Sequence, residues 1–184
     1  MVAMSLRIFI TGRPGIGKTT VFMRIVSNLR KYGYIVGGII CPEIRGSKGR
    51  LGFHIVDILA DQKGILAYMC RERSAVPRVG KYCINVDDAI NIGVKAINNA
   101  LKEADVVGID EIGPMELKVP QLRLAIYETL WSAKPTVAVV HYRVVSDLVK
   151  TFRNAKVYEV SYVNRELLPQ QLSSELLDYL KKTR

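Results

Sequence analysis

Short apolar runs alternate with stretches of helical periodicity along this 184-residue chain, the order of a parallel sheet interleaved with helices. Ile8-Phe9-Ile10 reads as a first buried strand. Beyond a glycine-rich turn, Val21, Phe22, Ile25, Val26 and Leu29 recur at helical spacing, and Gly33 supplies the stop. Tyr34 to Cys41 is mostly apolar throughout, as suits a parallel strand covered on both faces. This strand–helix–strand unit implies a right-handed crossover and a three-layer α/β architecture.

Residues 42–70 break that rhythm. Pro42 to Arg50 is a turn-rich basic loop, Gly52 to Leu59 alternates apolar and polar, and Ile65 to Met69 reads as a return strand after an Asp61-to-Gly64 turn. The expectation is a β-hairpin insertion over 42–70 near the sheet edge, followed by a second basic loop from Arg71 to Tyr82.

The alternation then resumes. Asp87 is the expected N-cap of a helix whose buried stripe is Ile90, Val94, Ile97 and Leu101. A strand from Ala104 ends in Asp110-Glu111. Pro120 opens a helix carrying Leu122, Ile126 and Leu130, and Thr136 to Val140 is a strand ending at His141. A short helix spans 144–152, and Val157 to Val160 is the last parallel strand. Pro169 starts a final helix with Leu172, Leu176, Leu177 and Leu180 on one face, and Trp131 is expected in the core. The whole, 1–184, is expected to be one domain.

Composition narrows the function classes. Hydrophobic content of 49% with 24% charged residues is that of an ordinary globular protein. The net charge of +10 suits an anionic partner. No Lys/Arg run interleaved with aromatics demands nucleic acid, which is neither required nor excluded. Cys41, Cys70 and Cys83 form no C-x-x-C pair, so the expectation is three buried thiols in a reducing cytoplasm rather than a disulfide or zinc site. No leader segment or membrane span is expected, and a monomer is.

The chemistry begins at Gly12-Arg13-Pro14-Gly15-Ile16-Gly17-Lys18-Thr19-Thr20, which fills G-x-x-x-x-G-K-[ST], the Walker A phosphate loop. Gly15 and Gly17 let backbone N–H groups approach a polyphosphate at a helix N-terminus. Lys18 reaches the β- and γ-phosphates, and the Thr19 hydroxyl can ligate Mg²⁺. Val106 to Ile109 followed by Asp110-Glu111 matches Walker B: Asp110 approaches Mg²⁺ opposite Thr19, and Glu111 polarises the attacking water. The spacing leaves space for an intervening strand, as in phosphate-loop ATPases of the additional-strand, RecA-like type.

On these residues the chain resembles the nucleoside-triphosphatases of the THEP type, the cancer-related NTPase family of vertebrates. The likeness rests on Gly12 to Thr20 and on Ile109-Asp-Glu-Ile-Gly-Pro-Met-Glu-Leu117. It continues through Glu43-Ile-Arg45, Arg50 to Phe53, Arg78 to Tyr82, His141-Tyr-Arg143 and Val163-Asn-Arg165. The resemblance implies Mg²⁺-dependent hydrolysis of several nucleoside triphosphates to diphosphate and phosphate, with loose base selectivity.

Other residues carry open assignments. Arg45 or Arg50 could act as an arginine finger in cis, with Arg45 taken as the catalytic candidate, and Arg78 with Lys81 is placed similarly. His141 can sense the γ-phosphate. Asn164-Arg165 is expected at the base, with Arg165 stacking on it. Two rival readings remain: a kinase passing the γ-phosphoryl to a nucleotide, polynucleotide or metabolite, and a nucleotide-switched nucleic-acid-binding module.

Overall fold

A computed structural model describes residues 5–47, 49–70 and 76–183. Strand β1 (Arg7–Thr11) leads through the glycine turn into α1 (Lys18–Lys31) and then β2 (Val36–Ile40). Val21, Phe22, Ile25, Val26 and Leu29 are the buried residues of α1, as their spacing predicts. Gly33 stops the helix at φ 80°. Its N–H and that of Tyr34 bond the carbonyls of Arg30 and Leu29, which satisfies two groups the helix end would leave free.

Five short strands follow: β3 (Glu43–Gly46), β4 (Gly49–Asp57), β5 (Lys63–Met69), β6 (Arg78–Val79) and β7 (Tyr82–Ile84). They pair antiparallel, and β4 joins the parallel sheet by pairing with β2. The antiparallel part therefore runs past residue 70. The sequence predicts a loop over Arg71–Tyr82; in the structure 78–79 and 82–84 are strands, while Lys48 and 71–75 lie outside the described residues.

That pairing also corrects the cysteine expectation. Cys70 N–H bonds the Lys81 carbonyl, which brings Cys70 and Cys83 to a Cα separation of 5.3 Å, and they form a disulfide. Cys41 is free. Residues 13 apart in sequence meet here only through strand register, which spacing does not reveal.

The next helical stretch runs through α2 (Val86–Asp88), a π-helical segment at Ala89–Val94 and α3 (Lys95–Glu103). Its N-cap is Asn85, whose side chain accepts from Asp88 N–H, rather than the expected Asp87. The wider π turn rotates the apolar face. Ala89, Ile92, Ala96, Ile97 and Ala100 go to the core, while Ile90, Val94 and Leu101 are only partly buried against it.

Then come β8 (Val106–Ile112), α4 (Pro120–Trp131), β9 (Thr136–Val140), α5 (Val145–Thr151), β10 (Lys156–Glu159) and α6 (Leu168–Thr183). Leu122, Ile126 and Leu130 of α4 are fully buried. Trp131 is not: it is 61% exposed and leans on Phe152 with ring centroids 4.7 Å apart. Its position at the last residue of α4 carries it past the edge of the core.

Among the described residues the sheet order is β10-β1-β9-β8-β2-β4-β5-β7-β6, with β3 on β4. The first five strands are parallel, and β9 lies between the Walker A strand β1 and the Walker B strand β8. One apolar cluster joins the sheet to α1 and α6; the other joins the opposite face to α3, α4 and α5. The result is the three-layer α/β architecture, with a mixed central sheet. No described helix is long and apolar enough to cross a membrane.

Candidate active site at the phosphate loop

Strand β1 ends at Thr11, and the chain must turn at once toward α1. Gly12 makes that turn at φ 141°, where an added Cβ would stand 2.9 Å from the Val160 carbonyl oxygen. No larger residue fits. Gly15 and Gly17 also hold positive φ, and the buried Ile16 side chain anchors the loop between them. The N-cap of α1 is Gly17, which has no side chain to bond the first-turn N–H groups, so these are left for an anion. Lys18 Nζ donates to the carbonyls of Gly12 and Arg13, both at 3.2 Å, which draws the ammonium back over the loop. Thr20 is exposed in the same first turn.

Walker B comes to the same place from β8. Asp110 is 5% exposed, and the Thr19 side chain acts on its carboxylate, favouring the charged form. Burial pushes the Asp110 carboxyl up to about 6, against the opposing pull of Thr19 and Lys18. The β8–β9 register slips between Asp110 and Ile112, so Glu111 occupies a bulge, a device that re-aims a side chain at a strand end. Burial, then the Asp110 charge, raises Glu111 to about 7, while Lys18 and Arg50 pull it down.

His141, at the end of β9, feels the same lysine. Burial lowers its pKa, helped by Lys18 and Arg143, so the ring is neutral near pH 7. Its Nδ1 accepts from the Arg143 backbone N–H at 3.2 Å, which leaves the ring proton on Nε2.

The arginines sort themselves by position. Arg50 pairs with Glu43, lies 5.2 Å from the Phe53 ring centroid, and its charge acts on Glu111. Arg45 also pairs with Glu43, but its side chain is 78% exposed and it is absent from the charges that act on Glu111. Arg78 is exposed, and Lys81 sits over the Tyr82 ring. Asn164 turns inward: its amide donates to the Glu159 carbonyl and its Oδ1 accepts from Ser161 N–H, so it closes a turn. Arg165 lies over the exposed Tyr162 ring at 5.2 Å.

A cavity of about 430 Å³ abuts the loop, lined by Thr11, Arg13, Pro14, Tyr142, Val145 and Glu159 among others. A larger hollow of about 610 Å³ between α1 and α6 contains none of the phosphate-loop or Walker B residues. Sequence reasoning gave no role to Val145, Glu159 or the buried Glu116. The one available signal was the position of Glu116 within the quoted Walker B stretch.

A family model described as NTPase matches residues 7–173. The nucleoside-triphosphatase THEP1 of Methanocaldococcus jannaschii is 39% identical over 177 residues, 96% of this chain and 100% of that protein. THEP1 of Thermofilum pendens is 42% identical over 171 residues, covering 91% and 93%. The crystal structure of THEP1 from the hyperthermophile Aquifex aeolicus superposes with a TM-score of 0.79 at 30% identity, covering 93% of this chain and 99% of that one. The solution structure of a human cancer-related nucleoside triphosphatase gives 0.75 at 27% identity, covering 93% and 97%.

Proposed function

This chain belongs to the NTPase family, and from that premise we propose that it is a Mg²⁺-dependent nucleoside-triphosphatase that releases phosphate from ATP, GTP and other triphosphates. The observation that carries this reading is the convergence of Lys18 and Thr19 at the start of α1 with Asp110 and Glu111 at the end of β8.

In this reading the loop amides and Lys18 hold the β- and γ-phosphates. Thr19 and Asp110 would hold Mg²⁺. Both offer oxygen, the donor a hard cation takes, and the Thr19 side chain already acts on the Asp110 carboxylate. Among the described residues no three His, Cys, Asp or Glu gather into a metal cage. That suits an ion whose remaining ligands are phosphate and water. Bound between Thr19 and Asp110, the ion would supply positive charge to the polyphosphate. Glu111, raised to about 7, is poised to accept the proton of the attacking water. Arg50 and the Nε2–H of His141 supply positive potential and a donor toward the γ-phosphate end.

Loose base selectivity is supported by what surrounds the loop. The Asn164 side chain is committed to its own turn, whereas the walls of the 430 Å³ cavity, Tyr142 and Val145 among them, offer apolar surface to any base. The chain is proposed to act as a monomer. A cytoplasmic location is part of the proposal, and the Cys70–Cys83 disulfide accords with it only in an organism that keeps disulfides inside the cell, as hyperthermophiles do.

The test is phosphate release from each common triphosphate, with and without Mg²⁺, using γ-labelled ATP and candidate acceptors in parallel. Label in inorganic phosphate alone is the expected result. Label in an acceptor would replace hydrolysis by a kinase reaction. Acceleration by an oligonucleotide that fades with salt would point to a nucleic-acid switch.

A further inference from the structure

Glu116 is a carboxylate in a place that suits a leucine. It lies just past β8, is 5% exposed, and no lysine or arginine among the described residues forms an ion pair with it. Burying such a group is costly unless its oxygens are engaged. One of them is: Glu116 Oε2 accepts a hydrogen bond from the Gly113 backbone N–H at 3.1 Å. The Gly113 carbonyl in turn accepts from Leu117 N–H at 3.0 Å, closing the turn that follows Glu111.

The same glycine links the two acids. A Cβ placed on Gly113 would stand 3.0 Å from Glu116 Oε2 and 3.1 Å from Glu111 Oε1. Both carboxylates therefore converge on the one face of the turn that has no side chain. The acidic and thiol groups acting on Glu116 or sharing its surroundings are Glu111 and Asp110 of β8 and Cys41 beyond β2.

We propose that Glu116 is a positioning residue for hydrolysis: by holding the Gly113 turn and sharing its bare face with Glu111, it fixes the Glu111 carboxylate in the orientation that receives the water proton. This rests on the reading of Glu111 as the base. Burial, and next the Glu111 charge, raises Glu116 to about 8, so it stands neutral near pH 7 and adds no like charge beside Glu111.

The experiment measures kcat and KM for phosphate release, with ADP affinity by calorimetry, in wild type, Glu111→Gln, Glu116→Ala, Glu116→Gln, Gly113→Ala and the Glu111→Gln/Glu116→Ala double variant. Glu116→Ala is expected to lower kcat on the order of 10- to 100-fold while KM and ADP affinity hold, as for a group displaced by about an ångström. Glu116→Gln keeps an oxygen for the Gly113 N–H and restores most of the rate. In the Glu111→Gln background Glu116→Ala adds no further loss, because it acts through that residue. An unchanged kcat in Glu116→Ala, a Glu116→Gln rate as low as the alanine variant, or additive losses in the double variant overturns the proposal. If Glu116→Ala does not fold, Gly113→Ala decides. Its methyl presses on both carboxylates, so a fallen kcat at constant KM supports the proposal and an unchanged one removes it. A wild type that releases no phosphate, or Glu111→Gln at the wild-type rate, removes the functional reading itself.

Discussion

The Thr19 side chain favours the charged form of the Asp110 carboxylate, so the first turn of α1 acts on the end of β8 although β9 separates β8 from the strand that precedes α1. The lean of α1 makes this reach possible. Phe22, one turn further along, lies over Gly108 of β8, where an added Cβ would fall 2.8 Å from its ring. The helix crosses its neighbouring strand and rests on the next.

Thr19→Ala removes the hydroxyl that favours the charged form of Asp110, so the Asp110 carboxyl moves further up and the oxygen pair is broken. The Mg²⁺ concentration for half-maximal phosphate release is expected to rise by about tenfold or more, and Thr19→Ser to stay close to wild type. A Mg²⁺ titration of turnover checks both, and removal of the ion by chelator is expected to stop turnover.

Gly108→Ala drives a methyl into the Phe22 ring. The expected loss of stability is about 1–3 kcal/mol, the range for overpacking a close-packed core. Nucleotide affinity should fall with it, because α1 can no longer lean on β8. Denaturant unfolding measures the first effect, and combining the change with Phe22→Leu should recover part of it.

Arg50 and Arg45 share Glu43 but only the Arg50 charge acts on Glu111. Arg50→Ala is expected to lower kcat by about tenfold or more, with Arg45→Ala within about twofold of wild type. Arg50 holds the Glu111 pKa down, so its removal raises that pKa, and the rate should need a higher pH to reach its plateau. A pH–rate profile of the two variants separates them.

Glu116 also sets a stability trend. Its folded pKa is raised from an ordinary 4.5 to about 8. Its share of stability is therefore full below about pH 4.5, declines as pH rises and the unfolded chain ionises first, and is lost by about pH 8. Wild type is expected to unfold at a lower urea concentration at about pH 9 than at about pH 5. Glu116→Gln, which cannot ionise, should flatten that dependence.

Much of this was legible in the chain itself. The apolar face of α1, the strands around Walker A and Walker B and the need for glycine at positions 12, 15 and 17 follow from local spacing and backbone sterics. Where one turn of helix is irregular, the reading slipped: the π segment at Ala89–Val94 turned Ile90, Val94 and Leu101 away from full burial. Where two distant segments pair, it had no purchase. Cys70 meets Cys83 through β5–β7 register, and Arg45 comes opposite Arg50 only through the β3–β4 pairing.

By itself, then, the order of residues determined the glycine turn between a strand and a helix that the proposed reading gives to a polyphosphate, because loop conformation and helix termini are set by near neighbours. The folded structure decided how buried the site's acids are and which face they share. Asp110 reaches Thr19 only because a helix leans across a strand, and Glu116 meets Glu111 only because a turn folds both onto one bare glycine. Motif spacing names these residues, but burial and side-chain direction come only from packing against the rest of the fold.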